Sequence, residues 1–450
     1  MEDGERDPES APGSDVGRRA DAGPRRSWLS LLVVPLIVAS ALLSSGPLPA
    51  VQRSLDDALE FVEAAWPRLA ALIEPRPSRS PAPSSGWTAD PSSGPSRTSA
   101  PSGSPDAGAT ARPSPPRSGD DYLLMPRATL EALPTSGAAW ERLVAVADEP
   151  LGRPDLTDQD ERHGVRTLAV ALVYARTGDP AYRERARDAI MAAIGTERID
   201  AGNAVLALGR QLAAYVLAAD FIDLGGADDA RFRDWLAGIR TRTLGGHGRW
   251  ISLVGTHEDS ANNWGAFAGA ARIAASRYLG DTADVERAAR VLAGFLGDRT
   301  AWDAFQPVED SVSWACDDLP FTPINPPCTA EGIDLDGAIV RDISRGGRLR
   351  WPPGDEGIGY TLESLQGLTL QAELLYQGGF GDPWSWSDEA LRRATRIVTA
   401  SGAAGGETWN RSDPSRHVPW LLNERYDLDL PTEPAGFGRT FGYTDWLYGS

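Results

Sequence analysis

From Tyr122 onward, apolar residues recur three and four positions apart and form Ala-rich faces, whereas alternating runs are short and few. This spacing predicts helices rather than strands. A helical hairpin recurs, in which an apolar helix ends at Gly, an Asp follows as an N-cap, and a second helix rich in Arg and Ala begins. The copies span residues 174–194, 277–296 and 375–398. We therefore expect residues 120–450 to form an all-α domain, an incomplete (α/α) toroid of helical hairpins.

The amino-terminal part of the chain shows a different pattern. Residues 28–49 form an uncharged apolar run that is long enough to cross a bilayer, and several Arg residues precede it. Because Arg on the near flank favours the cytoplasmic side, we predict an uncleaved transmembrane signal anchor that exports everything after it. A cleaved signal peptide, giving a secreted protein, is the alternative. Residues 1–27 are polar and predict a disordered cytoplasmic tail.

Two segments separate the predicted anchor from the helical domain. Residues 50–74 carry one apolar stripe at helical spacing, which predicts a juxtamembrane amphipathic helix. Residues 75–119 contain 11 Pro and 12 Ser and almost no large apolar group, so we expect a disordered linker. This organisation would display the domain on the outer face of the cell membrane.

The charge of the chain limits the partners of that domain. Arg supplies all 44 basic residues against 63 Asp and Glu, for a net charge of −19. Residues 1–119 hold 14 acidic and 12 Arg side chains, so the domain carries −17 of this charge. Such a charge argues against a nucleic-acid partner, which requires a basic face. The exception is a dense Arg run that could hold an anionic sugar, namely Arg341, Arg345, Arg348 and Arg350.

The stretch 299–358 has little periodicity, and a loop of that length inside a compact domain is usually functional. It contains both cysteines, Cys316 and Cys328, on either side of a Pro-rich segment. In an exported protein this arrangement predicts a disulfide. A metal site is the alternative, but two Cys without a nearby His are too few ligands. We predict no metal and no other cofactor.

Several polar residues are candidates for chemistry. His257 precedes a helix whose first turn would carry Asn262, Asn263 and Trp264. Asn is unfavourable inside helices unless its amide has a specific partner. Either these amides cap the helix, or one of them donates to a substrate carboxylate. Such a donor is needed in β-elimination from a uronic acid, because removal of the C5 proton builds negative charge on the C6 carboxyl group. His417, in the segment SRHVPWLLNERY, is a further cleft candidate.

Tyr360 stands at a predicted helix start, ten residues after the Arg run. A phenol accepts a proton only when a neighbouring cation stabilises the phenolate, so a Tyr close to Arg residues has a chemical logic. Trp residues are also numerous, and several could stack on sugar rings or be buried in the core, among them Trp314, Trp351 and Trp384.

The segments NNWGAFAGAARIA and YTLESLQGLTLQAELL, with the helical hairpins, the export signal and the Arg-rich loop, resemble the alginate lyase-like superfamily of polysaccharide lyases. The resemblance covers roughly residues 120–450. It implies a toroid with a deep cleft that cleaves polyuronates by metal-independent β-elimination. In that comparison Asn263 would neutralise the substrate carboxylate, Tyr360 would act as the acid and base, and Arg350 or Arg348 would support it.

One position departs from the family pattern. Where the family has His after the two Asn residues, this chain has Trp264. Tyr can serve as both base and acid when the proton and the leaving group lie on the same face of the sugar, and His257 is a candidate substitute base. The remaining candidates are substrate-binding residues, namely Asn262, Trp264, Arg345, Arg348 and His417.

The leading hypothesis is a membrane-anchored lyase that acts on an acidic polysaccharide such as alginate. A catalytically inactive glycan-binding toroid is the alternative, which Trp264 favours. A glycoside hydrolase is a third hypothesis, because it needs two carboxylates that flank the scissile bond. Candidate pairs for that reaction combine Glu258 or Asp259 with Asp355 or Glu356.

Overall fold

Helices form most of the part of the chain that the structure describes, as the apolar spacing predicts. The computed structural model describes residues 121–199, 202–246, 249–316, 319–403, 415–434 and 436–449. The predicted tail, anchor, juxtamembrane helix and linker lie outside these residues. The described part of the chain has an all-α fold with a few short strands.

The helices are numbered here in chain order. They are α1 Arg127–Ala132, α2 Ala138–Asp148, α3 His163–Thr177, α4 Pro180–Ala193, α5 Ala204–Phe221, α6 Gly226–Ile239, α7 Leu253–Asp259, α8 Asn263–Leu279, α9 Thr282–Leu296, α10 Val340–Ile343, α11 Asp355–Gln377, α12 Trp386–Ala403, α13 Val418–Tyr426 and α14 Thr444–Leu447. Two antiparallel pairs of strands are present among the described residues, β1 Leu244–Gly246 with β2 Arg249–Ile251, and β3 Thr329–Ala330 with β4 Ile333–Asp334.

Two of the predicted hairpins turn where the sequence indicates. Gly178 follows α3 and Gly280 follows α8, and both have left-handed backbone conformations with φ of 72° and 73°. Gly adopts this conformation without steric cost, so it ends a helix cleanly. The side chains of Asp179 and Asp281 then accept backbone hydrogen bonds at the starts of α4 and α9. These N-caps are confirmed.

The third hairpin turns differently. Asp382 accepts a hydrogen bond from the backbone N–H of Trp384, and α12 begins only at Trp386. Asp382 therefore stabilises the turn rather than the first turn of the helix. The predicted hairpin is present, but its expected N-cap is wrong.

Helices α3, α5, α8 and α11 pack side by side in chain order. Helices α8 and α11 run parallel, because Asn263 contacts Glu363 near their starts and Arg277 contacts Leu374 near their ends. Arg210, in the second turn of α5, also binds Glu363. The amino-terminal parts of these three helices therefore meet at one side of the row. The intervening helices α4, α6, α9 and α12 pack against the row.

Gly367 brings α11 against α8 without any intervening side chain. A Cβ atom at Gly367 would lie 2.5 Å from the carbonyl carbon of Ala266. We expect Gly367→Ala to lower the free energy of unfolding by about 1–3 kcal/mol, because backbone must move to admit the methyl group. Gly359 on the same helix is the control, since a Cβ there meets nothing within 4 Å. Gly359→Ala should be neutral or stabilising in urea titrations. Equal effects of both substitutions would contradict the close approach.

Helix α5 is long and apolar enough to span a membrane by length and composition, but 94% of it is buried inside the domain. It packs between α3 and α8. Its apolar surface is therefore covered by protein, as in the core helix of a globular domain.

The stretch 299–358 contains short elements rather than long helices. Besides β3, β4 and α10, it holds the 3₁₀ helices Glu309–Trp314 and Ser344–Gly346. The predicted disulfide is confirmed, since Cys316 and Cys328 are bonded with their Cα atoms 6.0 Å apart. This bond ties the β3–β4 hairpin to the end of the first 3₁₀ helix.

Candidate functional site

The stretch 299–358 forms the wall of a cavity of about 950 Å³. One side is the first 3₁₀ helix, another is the tip of the β3–β4 hairpin, and the third is the segment that contains the Arg run. Asn262, directly before α8, also lines it. The volume is in the range of small-molecule sites.

The charges of this cavity are balanced. Arg341, Arg345 and Arg348 line it, and so do three carboxylates, those of Glu309, Asp310 and Glu331. The domain as a whole carries a net charge of −17. With three guanidinium groups beside its three carboxylates, the cavity wall is much less negative than the remaining surface of the domain. An anionic ligand would therefore be held by individually placed guanidinium groups, not by a broad positive field.

The two adjacent Asn residues have different surroundings. Asn262 is the N-cap of α8, with its side-chain oxygen accepting a hydrogen bond from the Trp264 N–H at 3.2 Å. Capping uses the oxygen, so the amide NH₂ group of this half-buried, cavity-lining residue takes no part in the cap. Asn263 is 2% exposed, and its Nδ2 donates to Glu363 Oε2 at 2.7 Å. The residue that lines the cavity is thus Asn262, whereas Asn263 supports the floor behind it.

Glu363 is the centre of a buried polar group that sequence reasoning missed. Glu363 accepts hydrogen bonds from the Asn263 amide and from the Arg210 guanidinium, the latter with a nitrogen–oxygen distance of 2.5 Å. The Arg210 side chain is 5% exposed, and burial lowers the pKa of its guanidinium, an effect that Glu363 opposes. The sequence signal for this group was Arg210, a charged residue within the apolar helix α5. Because buried Arg residues are almost always paired, it indicated an acidic partner on a neighbouring helix.

Asp342 lies beside this group and is 1% exposed. It accepts hydrogen bonds from the Asn263 backbone N–H at 3.3 Å and from the Ser364 hydroxyl. Burial, aided by the nearby Glu363 carboxylate, raises the pKa of the Asp342 carboxyl to about 7, although these hydrogen bonds favour the charged form. Asn263 thus bridges two carboxyl groups, one through its backbone and one through its side chain.

The raised pKa of Asp342 predicts a pH dependence of stability. The folded protein binds the Asp342 proton more tightly than the unfolded chain does. The protonated carboxyl therefore contributes its full stabilisation below about pH 4, and this stabilisation is lost as the pH rises through 7. Asp342→Asn removes this titration. Relative to wild type, the variant should therefore gain about 4 kcal/mol of unfolding free energy between pH 4 and pH 8.

Urea titrations at several pH values test this expectation. The control is Asp303→Asn, at an exposed position. This variant removes a carboxyl group from the surface, so it measures the effect of losing a charge without burial. A constant difference for Asp342→Asn would contradict the raised pKa.

Tyr360 and Arg345 form the contact that the sequence suggested between the phenol and the Arg run. The Arg345 guanidinium carbon lies 4.2 Å from the centre of the Tyr360 ring. Arg345 is exposed and lines the cavity, and Tyr360 is half-buried in the second turn of α11, three residues before Glu363. This contact connects the cavity wall with the buried group around Glu363.

Three other predicted site residues are placed differently. Arg350 is exposed but is not among the residues that line the cavity. His257 is buried at 2% exposure, with its Nδ1 3.4 Å from an Arg272 nitrogen, and burial together with Arg272 lowers its pKa to about 3. His417 is also 2% exposed, and its ring packs edge-on against Phe441. Both histidines lie in the protein interior, outside the cavity lining.

The hydrolase pairs are not brought together by the contacts that the structure shows. Glu258 forms ion pairs with Arg272 at 3.0 Å and with Arg287 at 2.6 Å. These pairs use both carboxylate oxygens of Glu258. Asp355 and Glu356 lie on the exposed first turn of α11. Among the described residues no cluster of three or more His, Cys, Asp or Glu could hold a metal ion.

Comparison with models of protein families, with curated proteins and with solved structures finds no match for this chain.

Proposed function

We propose that this protein is a polysaccharide lyase that cleaves an acidic, uronate-containing glycan by β-elimination, on a domain that is an incomplete (α/α) toroid. The observation that carries the proposal is the Arg345–Tyr360 contact at 4.2 Å beside a cavity lined by Asn262 and three Arg residues. The Arg345 guanidinium packs on the ring and holds the phenol beside the cavity, and an elimination needs a positioned acid and base of this kind. The parallel row of helices supports the toroid.

The reaction assigns a role to each of these groups. The Tyr360 phenolate takes the C5 proton, the electron pair forms the C4=C5 double bond, and the C4–O4 bond breaks. The resulting phenol returns its proton to O4, so Tyr360 ends in its starting state. Asn262, in place of the Asn263 suggested by the resemblance, donates to the C6 carboxylate as charge builds on it. Arg341 and Arg348 bind uronate groups of the chain.

The experiment is an absorbance assay on the full-length protein. Incubation with polymannuronate, polyguluronate or hyaluronan should produce ultraviolet absorbance from the new C4=C5 bond. Release of reducing ends without this absorbance would instead indicate hydrolysis. Failure of every polyuronate to give the absorbance would reject the lyase.

A glycan-binding domain without activity is the second candidate. Two observations favour it: the Asn263 amide is bound to Glu363 instead of facing the cavity, and Trp264 stands in place of a basic imidazole. In that case the protein would be retained by polyuronate gels and would release no product.

The site of action in this proposal is the outer face of the cell membrane. The apolar run 28–49 and the Pro/Ser-rich run 75–119 support an anchored and displayed domain. The disulfide between Cys316 and Cys328 suits an oxidising compartment.

A further inference from the structure

A second cavity, of about 440 Å³, borders the β3–β4 hairpin on its other side. The two-residue turn of this hairpin separates the two cavities, since Glu331 lines the first and Gly332 lines the second. Glu331 and Gly332 have positive φ values of 49° and 77°. Two such residues form the tight turn whose twist matches that of the flanking strands of a hairpin. Two positions apart along the chain, Leu349 lines the first cavity and Trp351 the second. The cavities are thus neighbours along one surface.

The second cavity has one aromatic wall. Trp351 lines it and is 41% exposed, whereas Trp314 and Trp384 are buried in the core. Ile333 and Ile397 add apolar surface. A large aromatic ring left exposed beside a concave surface is typical of a binding site rather than of core packing.

One carboxylate of this cavity, that of Asp336, is held in position by two ion pairs. Asp336 accepts from Arg396 at 3.0 Å and lies 2.8 Å from the Nε of the buried Arg393. Arg396 is largely exposed and lines the cavity, as does Asp334. A pyranose ring presents an apolar C–H face and a rim of hydroxyl groups, so it matches an aromatic platform with carboxylate and guanidinium groups at its edge.

We propose that the second cavity is a distal glycan subsite, in which Trp351 stacks on a pyranose ring while Asp334 and Arg396 bind its hydroxyl groups. The glycan would cross the hairpin turn and occupy both cavities. For the class of its ligand this inference rests on the proposed function. It does not depend on whether the bound chain is cleaved.

The test measures binding of mannuronate oligosaccharides to the full-length protein by calorimetry. The wild-type protein should bind a hexamer more tightly than a dimer, because the hexamer reaches both cavities. Trp351→Ala should weaken hexamer binding at least about fivefold and remove most of this length dependence. Trp351→Phe, which keeps an aromatic face, should stay within about twofold of wild type. Val312→Ala is the control, at a residue that is 52% exposed and outside both cavities.

The outcomes separate this subsite from the lyase activity. Weakened hexamer binding by Trp351→Ala, with no product absorbance from any variant, would support the subsite and reject the lyase. Normal product formation and unchanged hexamer affinity in Trp351→Ala would reject the subsite and keep the lyase. Equal weakening by Val312→Ala, or no binding of the hexamer by the wild-type protein, would also overturn the subsite.

Discussion

Tyr360→Phe should lower the rate of double-bond formation from a polyuronate by about 10²–10⁴-fold, the usual contribution of a positioned acid or base. The substitution removes the oxygen that we propose takes the C5 proton and returns it to O4. It keeps the ring that packs against Arg345 at 4.2 Å, so the cavity wall keeps its shape. The loss should therefore fall on kcat, while the affinity for the polymer changes little.

Two comparisons make this experiment specific. Tyr182 is also half-buried, its hydroxyl donates to Asp148 at 2.7 Å, and it is not among the residues that line the cavity, so Tyr182→Phe should leave the rate unchanged. Arg345→Gln should give an intermediate loss that Arg345→Lys partly restores, because Lys keeps the charge beside the ring. A Tyr360→Phe variant with most of the wild-type rate would show that the phenol does no proton transfer.

The sequence was sufficient for those features that depend on neighbouring residues. Helix type follows from apolar spacing, and the breaks at Gly178 and Gly280 follow from the left-handed conformation that Gly tolerates. The pairing of Cys316 with Cys328 followed because the chain has no other cysteine. The N-cap expected at Asp382 was wrong because a turn there uses the carboxylate before the helix begins.

The site could be predicted in part. The sequence placed Tyr360 near the Arg run, and the structure shows the contact with Arg345. The sequence could not decide which of the two Asn residues faces the cavity. Neighbouring residues at a helix start point in different directions, so a shift of one residue in the start of α8 would change which of them faces the cavity. Glu363 and Arg210 were missed because they meet only through the packing of α5, α8 and α11, across 153 positions of sequence.

Arg272→Met should lower the free energy of unfolding by about 3–5 kcal/mol, the usual cost of breaking a buried ion pair by removing one partner. Arg272 is fully buried on α8, and it donates to Asp284 at 2.6 Å and to Glu258 at 3.0 Å. Burial alone would raise the pKa of Asp284, but hydrogen bonds from Arg272 and Ser276 hold it below its usual value. Without Arg272, the half-buried Asp284 carboxylate loses its closest cation and keeps only Arg240, at 3.0 Å.

A second substitution should reverse part of this loss. Arg272→Met combined with Asp284→Leu replaces the buried guanidinium and the half-buried carboxylate by apolar groups, so it should cost less than Arg272→Met alone. Arg392→Met is the surface control, because Arg392 and Glu389 form an exposed pair whose loss should cost below about 1 kcal/mol. Urea titrations of the wild type, Arg272→Met, Asp284→Leu and the double variant give the coupling energy, and Arg392→Met is measured beside them. If Arg272→Met cost no more than Arg392→Met, the ion pairs of Arg272 with Asp284 and Glu258 would contribute nothing to stability, and the packing of α8 on α9 would rest on apolar contacts.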